Sequence, residues 1–158
     1  MEITAVVLEQ AGQPMRLQTL TLQEPRTDEM RVRLVATGLC HTDISMLKRP
    51  FPVDQAIVLG HEGAGVVEAV GSAIRQFKPG DRVLLSYNSC QSCTLCLRSA
   101  PNYCEYFFGR NFLGQRPDGS TALSRQGKAV RHHFFGQSSF ASHCLVTETN
   151  VVPVPATV

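Results

Sequence analysis

The sequence predicts a mainly β fold, a small barrel or sandwich with few and short helices. Three observations predict it: short runs rich in Val, Ile, Leu and Thr, turn residues spaced between them, and little sustained helical periodicity. The first strands fall at Ile3–Leu8, Leu17–Leu22 and Arg31–Ala36, separated by Gly, Pro or Asp turns. Arg31-Val-Arg-Leu alternates polar and apolar residues, the pattern of a half-buried strand. Val66–Val70 follows a glycine cluster, and Lys78-Pro-Gly-Asp-Arg-Val is a tight turn feeding a strand at Val83–Leu85. Phe140–Thr147 is a further strand. Val151–Val154 is another, confined to a sheet edge by Pro153, which has no N–H to donate. Helix is limited to a turn or two at Thr42–Lys48 and near Cys96–Ala100. Residues 109–139, with much Gly, Arg and Ser, read as a long irregular loop carrying His132 and His133 on its surface.

A chain of 158 residues is one domain, long enough to bury roughly two-thirds of its unfolded surface. Hydrophobic residues at 43% and charged residues at 18% describe a soluble globule rather than a disordered or fibrous chain. The net charge of +2 is small and its Lys and Arg are scattered, which argues against nucleic acid or an anionic membrane as a partner. No apolar run approaches the ~20 residues of a membrane helix. The start, Met1-Glu-Ile-Thr-Ala-Val-Val-Leu, reads as a strand rather than a signal peptide, so a cytoplasmic location is expected.

Chemistry concentrates in two places. Cys90, Cys93, Cys96 and Cys104 are separated by gaps of two, two and seven residues. Short CxxC gaps let successive thiolates curl round one ion, and the fourth sulfur closes a tetrahedron at about 2.3 Å from Zn²⁺. Such a site has no open position and is structural. A disulfide pair is disfavoured in a reducing compartment. An iron–sulfur cluster is the nearer rival, but that motif returns its fourth Cys after three residues and ahead of Pro; here Glu105 follows a gap of seven.

The second place comprises Gly38-Leu-Cys-His-Thr-Asp-Ile and Leu59-Gly-His-Glu-Gly-Ala-Gly. Glycines around His61 and Glu62 let the backbone fold tightly, and no second His follows at helical spacing, which excludes the HExxH motif. Cys40, His61 and Glu62 offer a thiolate, an imidazole and a carboxylate, a suitable mixed set for zinc. Taken singly, Cys40 reads as a buried thiol, His61 as a turn residue and Thr42 as a helix cap. Cys144 reads as core.

At these residues the chain closely resembles the N-terminal catalytic domain of zinc-dependent medium-chain alcohol dehydrogenases. The resemblance rests on Cys40-His-Thr-Asp43, Gly60-His-Glu-Gly-Ala-Gly65 with Val66-Val-Glu68, Pro79-Gly-Asp-Arg-Val83 and the four-cysteine loop. It implies a GroES-like β-barrel over residues 1–158, with a structural zinc lobe at about 88–110. It further implies a catalytic zinc held by Cys40 and His61, with Glu62 beside the metal as an alternating ligand or a supporting neighbour. Thr42 matches the hydroxyl that takes the alcohol proton, Asp43 the carboxylate that orients His61, and His41 the position that meets the pyrophosphate of NAD. The family's proton relay often ends on a His four residues later, where this chain has Ser45. Phe134-Phe-Gly-Gln-Ser-Ser-Phe140-Ala is most similar to the benzyl-alcohol and geraniol dehydrogenase branch, which implies a primary aryl or allylic alcohol oxidised to its aldehyde. Phe51 and Phe140 match pocket positions, whereas Tyr103, Tyr106, Phe107, Phe108 and Phe112 are expected to pack under the zinc lobe. A homo-oligomer is implied for the full-length form.

Gly63-Ala-Gly-Val-Val-Glu68 lacks the third glycine and the βαβ setting of a dinucleotide fingerprint. No Rossmann domain is therefore expected within 1–158, and the family's remaining catalytic cysteine is expected beyond Val158. The domain alone should be inactive. A polyol dehydrogenase relative and a non-catalytic zinc-stabilised barrel are the competing expectations.

Overall fold

The computed structural model describes residues 1–48, 55–155 and 157. Among the described residues, ten strands form two five-stranded antiparallel sheets. In the first, β1 (Glu2–Leu8) pairs with β2 (Arg16–Leu22) and with β4 (Ile57–Val58), and β2 continues into β7 (Leu123–Arg125) and β8 (Lys128–Val130). Alternation decides the inward face: Ile3, Ala5 and Val7 of β1 and Leu20 and Leu22 of β2 are buried, while Glu2 and Thr4 face out. Just past β8, Arg131 bridges to Ile57, bringing the two edges of this sheet together. A sheet joined at its edges is curled toward a barrel and has no long open edge.

The second sheet runs β10 (Val151–Pro153), β6 (Arg82–Leu85), β5 (Gly63–Val70), β3 (Met30–Thr37) and β9 (His143–Val146). Met30, Val32, Val67, Val83, Cys144 and Val146 form its own core. Pro153 sits in an edge strand, as its missing donor requires. β5 starts three residues earlier than the sequence suggests, because its glycines belong to the strand. A Cβ on Gly65 would lie 2.4 Å from the Arg33 carbonyl of neighbouring β3.

The expected strand at Phe140–Thr147 is divided. Phe140 and Ser142 pair with β1, through Val6 N–H to Phe140 O and Ser142 N–H to Thr4 O at 2.8 Å each. The chain then crosses to β3 as β9, so one segment stitches the two sheets together.

Residues 109–139 are more ordered than the composition predicted. They hold the end of α3 (Phe107–Asn111) and the β7–β8 hairpin. The hairpin turns on Gln126 and Gly127, both at positive φ (49° and 78°), as a primed two-residue turn requires. Gln in place of the usual Asn or Asp hid that turn. His132 and His133 are buried rather than on the surface, at 0% and 7% exposure. They pack behind a buried ion pair in which Arg116 grips both oxygens of Glu29 at 2.6 and 2.9 Å. Burial depresses both imidazoles, His133 down to about 3, so they stay neutral.

The remaining helices are short: α1 (His41–Lys48), which starts one residue earlier than expected, and α2 (Thr94–Leu97) inside the cysteine lobe. Among the described residues no helix is long and apolar enough to cross a membrane.

Candidate metal centres

Cys90, Cys93, Cys96 and Cys104 converge, with all four sulfurs within 4.8 Å of one another. Cys90 and Cys96 Sγ lie 3.8 Å apart. Tetrahedral thiolates at about 2.3 Å from an ion have edges of about 3.8 Å, whereas a disulfide needs about 2.05 Å. The spacing therefore fits four ligands around one ion, and all four cysteines are free. Backbone N–H groups of Ser92 and Cys93 point at Cys90 Sγ from 3.4 and 3.2 Å, and these donors, Ser92 first, pull its pKa down to about 5. Thiolate character there favours metal binding. The neck of the lobe is tied by Asn111, which is fully buried. It accepts from Asn88 N–H and donates to the carbonyls of Asn88 and Phe107, all at 2.8 Å. Nothing in the local sequence marks Asn111, since its partner lies 23 residues away.

The second cluster assembles from distant segments. Cys40 precedes α1, and His61 and Glu62 lie on the turn between β4 and β5; their ligand atoms also fall within 4.8 Å of one another. Asp43, in the first turn of α1, is completely buried and organises both segments. One oxygen accepts from Cys40 N–H at 3.1 Å. The other accepts from Gly60 N–H at 3.1 Å and lies 3.3 Å from His61 Nδ1. Burial by itself would lower the His61 pKa, but the hydrogen bond and charge of Asp43, with Cys40 on the other side, raise it. The Cys40 thiol is pulled down first by the backbone N–H of Thr42, then by the Thr42 hydroxyl 3.6 Å away and by His61.

Glycine leaves room around this turn. Gly60 has φ +88°, and a Cβ there would strike Phe140 N at 2.6 Å. A Cβ on Gly38 would lie 1.9 Å from Glu62 Oε2, so Gly38 leaves the space that the Glu62 carboxylate occupies. His41 is exposed at the start of α1 and Thr42 is half-buried beside Cys40. Ser45 is half-buried further along the helix.

The aromatic residues divide differently from expectation. Only Phe107 packs against the cysteines. Tyr103, Tyr106 and Phe108 are 58–68% exposed, so they do not underlie the lobe. Phe112 turns toward Phe134 and Phe135, at centroid distances of 5.9 and 5.0 Å. Phe135 stacks on the His61 ring at 4.6 Å, and Phe134 meets it edge-on at 5.7 Å. Phe140 is half-buried against the cores on both sides of the turn. Phe51 lies outside the described residues. Cys144 is core, with its thiol pushed up by burial.

A cleft of about 720 Å³ lies on another side, bordered by Arg26, Arg116, His133 and Cys90, and none of Cys40, His61 and Glu62 lines it. Arg26 pairs with Asp118 and Arg116 with Glu29, so these charges are neutralised by neighbouring carboxylates.

Residues 26–156 match the family model of the alcohol dehydrogenase GroES-like domain, and the chain belongs to that family. It is 46% identical over 151 residues to geraniol dehydrogenase of Castellaniella defragrans, covering 95% of this chain and 40% of the relative. Class-3 alcohol dehydrogenase of Myxine glutinosa is 36% identical, again over 95% of this chain and 40% of the relative. The crystal structure of benzyl alcohol dehydrogenase from Acinetobacter calcoaceticus superposes with a TM-score of 0.93 at 44% identity, covering all of this chain and 42% of that one. The chain thus spans about two fifths of the length of the relatives it matches.

Proposed function

We propose that this chain is the catalytic domain, residues 1–158, of a zinc-dependent alcohol dehydrogenase that oxidises a primary aryl or allylic alcohol to the aldehyde with NAD. The activity belongs to the full-length polypeptide carrying the domain, whose dinucleotide-binding part lies outside residues 1–158. The observation that carries this reading is the convergence of Cys40, His61 and Glu62 with Asp43 buried behind the imidazole.

Cys90, Cys93, Cys96 and Cys104 would hold a structural zinc, and Cys40, His61 and Glu62 would hold the catalytic one. Zinc at the latter site would supply the Lewis acidity that brings an alcohol's proton within reach of neutral pH, and NAD would supply the redox change. The chain's own residues do the rest. Asp43, accepting from Nδ1, leaves the other ring nitrogen of His61 with its lone pair. Thr42 relays the alcohol proton through its hydroxyl beside Cys40, accepting it as its own O–H proton passes to solvent water. His41, at the exposed start of α1, meets the cofactor's pyrophosphate. Phe135, stacked on His61, gives the site a flat apolar wall that suits an aryl or allylic group. Similarity to geraniol and benzyl alcohol dehydrogenases supports that substrate class.

The test is the purified full-length protein. We expect two zinc ions per chain, NAD reduction with benzyl alcohol and geraniol, and turnover at background in Cys40→Ala with the cysteine-cluster zinc retained. Turnover of sorbitol in preference to both alcohols would assign a polyol dehydrogenase instead. A metal-replete protein inert toward all three would leave a non-catalytic zinc barrel.

A further inference from the structure

Resting on the reading of Cys40, His61 and Glu62 as a metal centre, we propose that Gln137 is a positioning residue that sets the geometry of the His61–Glu62 turn. Its side chain is completely buried. Oε1 accepts from Gly63 N–H at 3.0 Å, while Nε2 donates to the carbonyls of His61 at 2.9 Å and Ser86 at 3.1 Å. Two carbonyls on one side and one N–H on the other leave a single orientation of the amide that satisfies every group. The two contacts to the turn flank Glu62, one on the residue before it and one on the residue after. The third ties the same amide to Ser86, next to the end of β6. The turn is thereby fastened to the end of β6 through a side chain, in addition to its backbone bonds to Gly38, Ser139 and Phe140.

The surrounding backbone shows how tightly Gln137 is placed. His133, Phe135 and Ser138 all have positive φ (71°, 50° and 55°), conformations that cost non-glycine residues energy and persist only where neighbours impose them. The neighbouring Ser138 turns away from the His61–Glu62 turn: its hydroxyl donates to Val58 O at 2.6 Å and accepts from Phe134 N–H at 2.9 Å. Ser139 and Phe140 then donate to the carbonyls of Gly60 and Leu59 at 2.9 and 3.0 Å. Bonds to Leu59 O, Gly60 N–H and O, His61 O, Glu62 O and Gly63 N–H are thus all supplied from Asp43, Gly38 or residues 137–140. Gln137 contributes the two that bracket the acidic residue. Partners that orient metal ligands from behind are worth about 10–100-fold in metal affinity.

The test compares Gln137→Met with Ser138→Ala in the full-length protein. Methionine keeps length and volume and deletes all three bonds. Ser138 is equally buried and also loses two bonds, but its side chain does not touch the turn. Each protein is stripped of metal at the Cys40 site and titrated with Co²⁺, reading thiolate-to-cobalt absorption and ligand-field bands, alongside thermal midpoints. We expect Gln137→Met to weaken Co²⁺ at this site by about tenfold or more and to shift its bands, with the four-cysteine site unaffected. Ser138→Ala should lower the midpoint while leaving affinity and bands unchanged. If methionine prevents folding, Gln137→Asn, one methylene shorter, is expected to bind with intermediate affinity. Wild-type affinity and bands in the Gln137 variant, or an equal change in Ser138→Ala, would overturn the proposal. The site itself is tested separately: a Co²⁺ equivalent that survives Cys40→Ala in the otherwise wild-type protein would refute the metal-centre reading, and the positioning role with it.

Discussion

The two ligand clusters use similar chemistry but are built in opposite ways. The four cysteines lie within fifteen positions, and their lobe buries little besides the sulfurs and Phe107. Cys40, His61 and Glu62 come from separate segments, and their supports reach from Gly38 to Phe140. In the lobe four sulfurs converge with little packing around them. At the other cluster the chain is organised first and the ligands follow. Metal should therefore be a folding requirement in one place and an occupant in the other.

The largest expected effect breaks the lobe. Cys93→Ser removes a thiolate from a centre whose metal affinity is folding free energy, of the order of 10 kcal/mol in small zinc modules. Hydrogen exchange should show residues 88–110 losing protection while β1, β3 and β5 keep theirs; loss of protection throughout the chain would contradict the comparison. Next comes a break in the barrel that touches neither ligand set. Arg116→Met strands the buried Glu29 carboxylate and should cost about 3–5 kcal/mol at pH 7 by denaturant unfolding. Burial alone raises the Glu29 pKa, but Arg116 and the Arg26 N–H outweigh it and lower it. A lowered folded pKa gives stability that is in place above the unfolded value of ~4.3 and is lost as pH falls through the folded one. The difference between variant and wild type should accordingly shrink in acid. A penalty independent of pH would show that Glu29 is not its source.

Asp43→Ala ranks third. It removes a buried acceptor from Cys40 N–H and Gly60 N–H, at about 1–3 kcal/mol for each group left unsatisfied. It should also weaken metal at the Cys40 cluster by about 10–100-fold, read by titration, with the cysteine lobe unchanged. Gly38→Ala should be the mildest. The atom in the way is the end of the Glu62 side chain, which can swing aside, so stability should move by less than about 1 kcal/mol. Metal affinity at the Cys40 cluster should fall all the same. A large stability loss instead would mean that Glu62 is fixed by more than the room Gly38 gives it.

The same contrast explains what could be read from residues alone. The cysteine lobe is legible because its ligands are neighbours in sequence and its spacing is the geometry. Of the first sheet, β1 and β2 are legible because each alternates against a single core. Gln137 and Asn111 were invisible, since the partners that make each amide structural include ones 51–76 and 23 residues away. His132 and His133 looked exposed because their cover, the Glu29–Arg116 pair, joins residues 87 apart. The β7–β8 hairpin escaped notice because Gln126 supplies a left-handed turn residue without the usual chemistry. Cys40, His61 and Glu62 were picked out by donor chemistry and motif resemblance, which also named Asp43 behind His61; Gly38, Gln137, Ser139 and Phe140 were found only by the fold.

The segment that crosses from one sheet to the other gives this architecture a direction in time. On a nascent chain the last cysteine ligand emerges with residue 104, and the lobe then holds everything it needs to capture its ion. The turn bearing His61 and Glu62 has left the ribosome well before, yet it lacks the bonds from Gln137, Ser139 and Phe140 until residues 137–142 arrive. At ~5–20 residues per second that interval, the synthesis of some 75–80 residues, is about 4–16 s. During it the thiol of Cys40 and the imidazole of His61 are open to any passing soft cation, without the backbone that fixes their spacing.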